Sequence, residues 1–214
     1  MLRRRKIIVI LIFFLMMTFT ISSYAEKEIE DLIYIVKSKS KIIAIIEGNN
    51  KISFSLRAKE KVLWRGSRGY LGAFLTNQRF FVISTSSGAW QVLHLRTDES
   101  EKAVASMSPY IALLVTEDRA ICFNAASNQF IETRLPIHDE LLAAKVKEHV
   151  AVVITSSRAF GLASETSAFN EIHLRVRETI EAIKLTSSKA TIHTSDRLLT
   201  FDTEGSTWKE HKLF

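Results

Sequence analysis

One cysteine, Cys122, among 214 residues excludes an intrachain disulfide framework and a multi-cysteine zinc site. With only two prolines and seven glycines the chain is neither collagen-like nor low-complexity, and 47% hydrophobic against 24% charged residues is the composition of a chain that buries a core. Catalytic signatures are missing too. There is no G-x-S-x-G elbow, no H-E-x-x-H pair, and neither phosphate-loop pattern, although Gly66, Gly69 and Gly72 crowd one stretch, where they read as a tight turn. The residues therefore offer no catalytic or metal-binding set and imply no cofactor.

Beyond residue 25 no apolar run is long enough to span a bilayer. Before it, Arg3, Arg4, Arg5 and Lys6 precede an apolar run from Ile7 to Ile21, and Ser23-Tyr24-Ala25 places small residues at −3 and −1 of a cleavage site. Residues 1–25 read as a signal peptide, and 26–31 as a short N-terminal segment. An uncleaved signal anchor is the alternative, and the only membrane attachment the sequence suggests. Cleavage removes four bases and no acids, so the formal charge falls from +6 to +2 over the remaining 189 residues. A general nucleic-acid role loses its electrostatic support with the leader.

What the chain does have is an internal repeat. The pattern T-x-x-R recurs as Thr76 to Arg79, Thr116 to Arg119, Thr155 to Arg158 and Thr194 to Arg197, with the arginines 40, 39 and 39 residues apart. Eleven residues after each Arg stands an aromatic (Trp90, Phe130, Phe169, Trp208), and sixteen after it a leucine (Leu95, Leu135, Leu174, Leu213). Seven before it is always a small residue: Gly72, Ala112, Ala151 or Ala190. A shorter first copy is placed by setting Lys51 in the basic column and Ala44 in the small one, which leaves that copy without its fourth strand-like segment.

Each copy divides into short Val/Ile-rich runs separated by polar turns, the pattern of strands rather than helices. The segment Thr116-Glu117-Asp118-Arg119-Ala120-Ile121-Cys122-Phe123-Asn124, continuing to Phe130, resembles the second to fourth strands of quinoprotein-like and WD-type repeats. That resemblance implies an all-β fold: a β-propeller of about five four-stranded blades over residues 32–214, the first truncated, following the signal peptide. The blades are expected at about 32–60, 61–98, 99–138, 139–177 and 178–214. The Trp-Asp dipeptide of WD repeats is absent, so no family activity is carried over.

In such a fold the turns that carry Lys51, Arg79, Arg119, Arg158 and Arg197 all lie on one face, and these five residues form a candidate binding ring. They could hold an anion or an acidic peptide. Alternatively they pair with acids in the inter-blade connections, among them Asp98, Glu99, Asp139, Glu140 and Glu178; repetition at one position is what a packing motif would show. The function expected is an exported, non-catalytic binding or scaffold protein of the bacterial cell envelope, periplasmic or secreted. Its partner is a protein, met at the basic mouth or at the incomplete first blade, whose open edge also suits a homo-oligomer. Alternatives are a propeller enzyme with a channel-mouth site, either a hydrolase or a quinone-dependent oxidoreductase, and a lectin-like carbohydrate binder using the recurrent aromatics.

Overall fold

A computed structural model of the chain describes residues 29–48 and 50–213; the signal-peptide reading of 1–25 lies outside them. The described residues form nineteen strands in five antiparallel sheets, and no helix. The first sheet has three strands, β1 (Ile33–Ser38), β2 (Lys41–Ile46) and β3 (Asn50–Ser55). The second contains β4 (Val62–Arg68), β5 (Leu71–Thr76), β6 (Arg79–Ser84) and β7 (Gln91–His94), and the third β8 (Val104–Met107), β9 (Ile111–Val115), β10 (Arg119–Asn124) and β11 (Gln129–Arg134). The fourth runs β12 (Leu141–Lys147), β13 (Val150–Thr155), β14 (Arg158–Ala163), β15 (Asn170–His173), and the fifth β16 (Ile180–Leu185), β17 (Lys189–Thr194), β18 (Arg197–Asp202), β19 (Thr207–Lys212). Within each sheet the strands pair in chain order as a meander, which is the blade of a β-propeller.

A lone meander would expose two apolar faces, so the sheets stack. β5, β6, β9, β10 and β13 are buried at every residue, because each has a neighbouring sheet on both sides. Each junction has its own core: Leu71 and Leu75 meet Ala112 and Leu114, Leu113 and Val115 meet Val153, and Val150 and Val152 meet Ala190. The small-residue column sits where one sheet presses on the one before it. A Cβ on Gly72 would lie 2.7 Å from Ile33 of the first sheet, which is why that copy carries glycine. Gly161 meets the following sheet just as closely, 2.6 Å from the Phe201 ring.

The end sheets differ. β2, β17 and β18 alternate buried and part-exposed residues, so one face of each end sheet is open, and among the described residues no core cluster joins the first sheet to the fifth. The open face of the fifth sheet is polar. Where the interior sheets carry Leu71, Ile111 and Val150, it has Lys189, ion-paired to Asp202 across the strand at 2.9 Å. Where they have Leu75, Val115 and Ile154, it has His193, 2.8 Å from Glu181. That is the polar outer face that a terminal repeat needs in order to stay soluble.

Register corrects the first repeat. In the complete sheets the residue before the Thr pairs with the residue after the Arg: Leu75 with Phe80, Val115 with Ala120, Ile154 with Ala159, His193 with Leu198. In the first sheet the same pair is Lys37 with Ile42, so Ser38 and Lys41 fill the Thr and Arg columns. The closing hydrogen bonds agree. Leu95, Leu135 and Leu174 donate their amides to the carbonyls of Gln78, Asp118 and Ser157, each just before an Arg, and Leu56 donates to Ser40. Lys51 is therefore not in the basic column. It faces Ile45 on β3, as Phe130 faces Phe123 and Trp208 faces Phe201, and so stands where the other copies have an aromatic. Ala44 likewise leaves the small column and packs toward the second sheet. β3 is the outermost strand of its sheet, and the strand lacking from this three-stranded blade is the innermost, not the fourth. The sequence misleads here because Lys and Ser replace Arg and Thr, and because the last hairpin, turning through Gly48 at φ 90°, is one residue shorter than in the other copies.

Replacing Gly161 by alanine should drive a methyl into the Phe201 ring and cost about 1–3 kcal/mol. Urea unfolding of the variant checks this: an unchanged midpoint would mean that the fourth and fifth sheets are not so closely apposed.

Candidate functional site

The strongest chemistry in the molecule lies on the face where the T-x-x-R turns sit. Three of the four connections between sheets carry the motif Leu-Arg-x-x-Glu (Leu56 to Glu60, Leu95 to Glu99, Leu174 to Glu178), and the glutamate returns under the following Arg. Arg79 holds Glu60 through Nε at 3.0 Å and Nη2 at 2.5 Å. Arg119 holds Glu99 at 2.5 and 2.8 Å, and Arg197 holds Glu178 at 2.9 Å through both nitrogens. The Thr hydroxyls of the column donate to the same carboxylates, at 2.8 Å from Thr76, 3.2 Å from Thr116 and 2.6 Å from Thr194. Backbone amides of Arg57, Arg96 and Arg175 complete the set at 2.9, 2.7 and 2.6 Å.

These latches are buried: the side chains of Glu60 and Glu178 are fully enclosed, and those of Arg79 and Arg197 nearly so. Arg119 and Arg197 also reach back to the sheet before them, to the carbonyls of His94 at 3.4 Å and His173 at 2.6 Å, and each binds a second glutamate, Glu132 or Glu210, at 2.6 Å. Arg79 instead lies over the rings of Phe54 and Phe81 at 4.9 and 4.6 Å. Burial pushes the Glu178 carboxyl up, but the donors from Arg197, the Arg175 amide and Thr194 outweigh it and hold the group at about 2. Glu60 and Glu99 move downward through the same balance. Hydrogen bonding to Glu99 above all raises the Arg119 pKa.

The fourth sheet breaks the pattern twice. Its connection reads Leu135-Pro136-Ile137-His138-Asp139, so proline removes the capping amide and aspartate falls one methylene short. Asp139 takes the hydroxyls of Thr155 at 2.6 Å and Ser157 at 2.5 Å, and Arg158 is left with Glu171 at 3.0 Å and a buried, unpartnered Nε. A cleft of about 470 Å³ opens at this place, between the third and fourth sheets, lined by Thr116, Asp118, Leu135, Ile137 and Asp139.

Of the expected ring, then, Arg79, Arg119 and Arg197 point inward into ion pairs, Arg158 is half-exposed, and Lys51 lies on another strand with no acid partner among the described residues. The face shows aliphatic side chains as well. Leu63 and Leu142 are the extra residues of bulges at the starts of β4 and β12 and are 51% and 47% exposed; Val104 opens β8 at 42%. They sit on β4, β8 and β12, the strands at which neighbouring sheets meet, and the connection tips add Ile137 and Val176. The repeated Leu-Arg-x-x-Glu is the signal that would have shown the latches in the sequence. Nothing so regular marks the bulges.

No protein-family model matches the sequence, and no curated protein matches it. Among solved structures it is similar to BamB from Moraxella catarrhalis, at 13% identity and TM-score 0.40, over 87% of this chain and 64% of that one. It is also similar to the N-terminal domain of Nup159 (6% identity, TM-score 0.41, 87% and 60%) and to PorZ of Porphyromonas gingivalis, a surface component of the type-IX secretion system (10%, 0.43, 86% and 27%). The chain spans less than two thirds of the length of each of these proteins.

Two measurements test the latches. Glu178 is ordinarily near 4.5 and is held at about 2 in the fold, so its contribution is complete above pH 4.5 and fades as the pH falls toward 2. Urea stability should drop over that interval, by on the order of 3 kcal/mol for this group alone, and the drop should be smaller in Glu178→Gln. Conversely, Asp139→Glu should reach Arg158 and stabilise the protein by about 1 kcal/mol, raising Tm by roughly 2–4 °C. A lower Tm would show that the shorter acid is not what leaves Arg158 unpaired.

Proposed function

We propose that the protein is a non-catalytic binding or scaffold module of the bacterial cell envelope, and that it holds a protein partner on the latch face, at the mouth of its channel. The observation that carries this is the set of aliphatic side chains there that the fold does not bury. Leu63 and Leu142 are turned outward by bulges that repeat in register, a device that re-aims side chains at rims and sites. The Arg column serves in this reading as the latch that keeps the face in shape, and the partner meets the apolar mouth rather than a ring of free cations. Export rests on the leader: four consecutive bases, an apolar run and small residues before the charged Glu26-Lys27-Glu28.

The test is expression of the full chain in a bacterial host, followed by mass measurement of the envelope form and cross-linking in intact cells. The mature protein should begin at Glu26. A cross-linked protein species should be retained by the wild type and by a variant on the opposite face, Glu165→Lys, and lost from Leu63→Glu/Leu142→Glu at unchanged Tm. If the double variant keeps the same partner, binding lies elsewhere on the molecule.

A further inference from the structure

The fourth sheet differs from its neighbours in the charge it leaves over. In the second, third and fifth sheets the latch carboxylate meets an arginine, so each acid is neutralised where it is bound. Asp139 stands at the same place before the fourth sheet. Its Oδ2 accepts from the Thr155 hydroxyl at 2.6 Å, the Ser157 hydroxyl at 2.5 Å and the Ser157 amide at 3.2 Å. Burial pushes this carboxyl up, but the Ser157 and Thr155 donors outweigh it and hold the group below the usual carboxylate range. All three donors are neutral, and no base pairs with Asp139 among the described residues, since Arg158 turns to Glu171. A capped turn needs only an acceptor, which an asparagine would supply; the full charge on Asp139 is more than the turn requires.

That charge borders a cavity. The cleft of about 470 Å³ between the third and fourth sheets has Asp118, Asp139 and Glu140 in its wall, none of them paired with a base among the described residues, and its one lysine, Lys102, is already taken by Glu117. The rest of the wall is largely aliphatic, from Leu135, Ile137 and Leu141. Among the described residues no three acids or histidines stand close enough to share a metal ion. Aliphatic walls that end at carboxylates match a lysine or arginine side chain, whose methylene stem covers apolar surface while its head keeps to charge. We infer that this cleft anchors the partner of the latch face by taking up one of its arginine or lysine side chains, with the cationic head at Asp139. The inference rests on the protein partner proposed above and names its chemistry, a segment in which basic residues sit beside apolar ones. The apolar residues of such a segment meet Ile137, 84% exposed at the lip, and Leu142, which the bulge turns outward next to Leu141. An acidic segment would instead bring its carboxylates against three others. Proline at 136 and aspartate at 139 thus have one joint result: the acid that closes a latch elsewhere is here left facing the cleft.

The probe is a fluorescein-labelled peptide that alternates leucine with arginine, titrated with the protein purified from the bacterial envelope, beside the same peptide carrying glutamate for arginine. The basic peptide should bind about tenfold more tightly than the acidic one, and should lose most of that advantage as the salt rises from about 50 to about 300 mM. Asp139→Asn keeps an acceptor for Thr155 and Ser157 and should weaken the basic peptide about tenfold. Asp118→Asn/Glu140→Gln, on exposed side chains, should weaken it about threefold at unchanged Tm. Equal binding of the two peptides, or an affinity that neither variant moves, would overturn the assignment. Cross-linking in intact cells separates it from the reading beneath it. A partner lost from Leu63→Glu/Leu142→Glu but fully held by Asp139→Asn and by Asp118→Asn/Glu140→Gln would leave the apolar face standing and overturn the cleft. A partner kept by Leu63→Glu/Leu142→Glu and lost from Asp139→Asn would overturn the apolar face and support the cleft.

Discussion

The structure depends on the buried ion pair that three of the four connections make between their glutamate and the arginine of the next turn. Taking both charges out of water costs several kcal/mol each, and a pair recovers that cost only when the remaining donors and acceptors are also filled. Here they are: Glu178 receives two guanidinium nitrogens, a hydroxyl and an amide, and Arg197 spends its other donors on Glu210 and His173. Because one end of the pair is in the connection, the other in the turn and a third contact in the preceding sheet, the second, third and fifth sheets cannot shift along the sheet before them without stranding a buried charge. The latch therefore sets the register that the nonspecific apolar cores cannot set by themselves.

Stacking explains the rest of the pattern. Interior sheets are apolar on both faces of their central strands, and the small column lets neighbouring backbones approach until Gly72 touches Ile33. The residue that faces the open side of the first sheet in that column is Tyr34, far too large to accept another blade in the same geometry. Across the array the fifth sheet answers with Lys189, Thr191 and His193 in place of Val150, Val152 and Ile154. Each end thus departs from the column in the direction that stops further stacking.

The five sheets, their strand order and the columns of Thr, Arg and aromatic residues were legible because packing repeats with the chain, and repetition survives in a single sequence. The first blade was not, since a Lys-for-Arg replacement and a hairpin one residue shorter moved two columns out of phase, and Lys51 then mimicked the base that Lys41 supplies. The latch was half visible. Glu99, Asp139 and Glu178 stood out as acids in the connections, but Glu60 was missed although Leu56-Arg57-Ala58-Lys59-Glu60 repeats the motif. The aliphatic mouth was hidden for a different reason: Leu63 and Leu142 differ from buried leucines only by a bulge, and a bulge leaves no mark in composition.

Charge on the two end faces carries the reasoning one step further. The open side of the first sheet presents Lys41 and Lys51 around Val36, Ile43 and Ile45, and the open side of the fifth presents Lys184, Lys189 and Lys209, of which only Lys189 has an acid partner across its strand. Bringing these faces together would desolvate like charges at short range, which costs far more than the few half-buried aliphatics could return. Closure of one end on the other is opposed by the same kind of term that the latches turn to advantage in the interior. The difference is that Arg79, Arg119 and Arg197 each meet a buried glutamate, whereas the end faces set lysine against lysine.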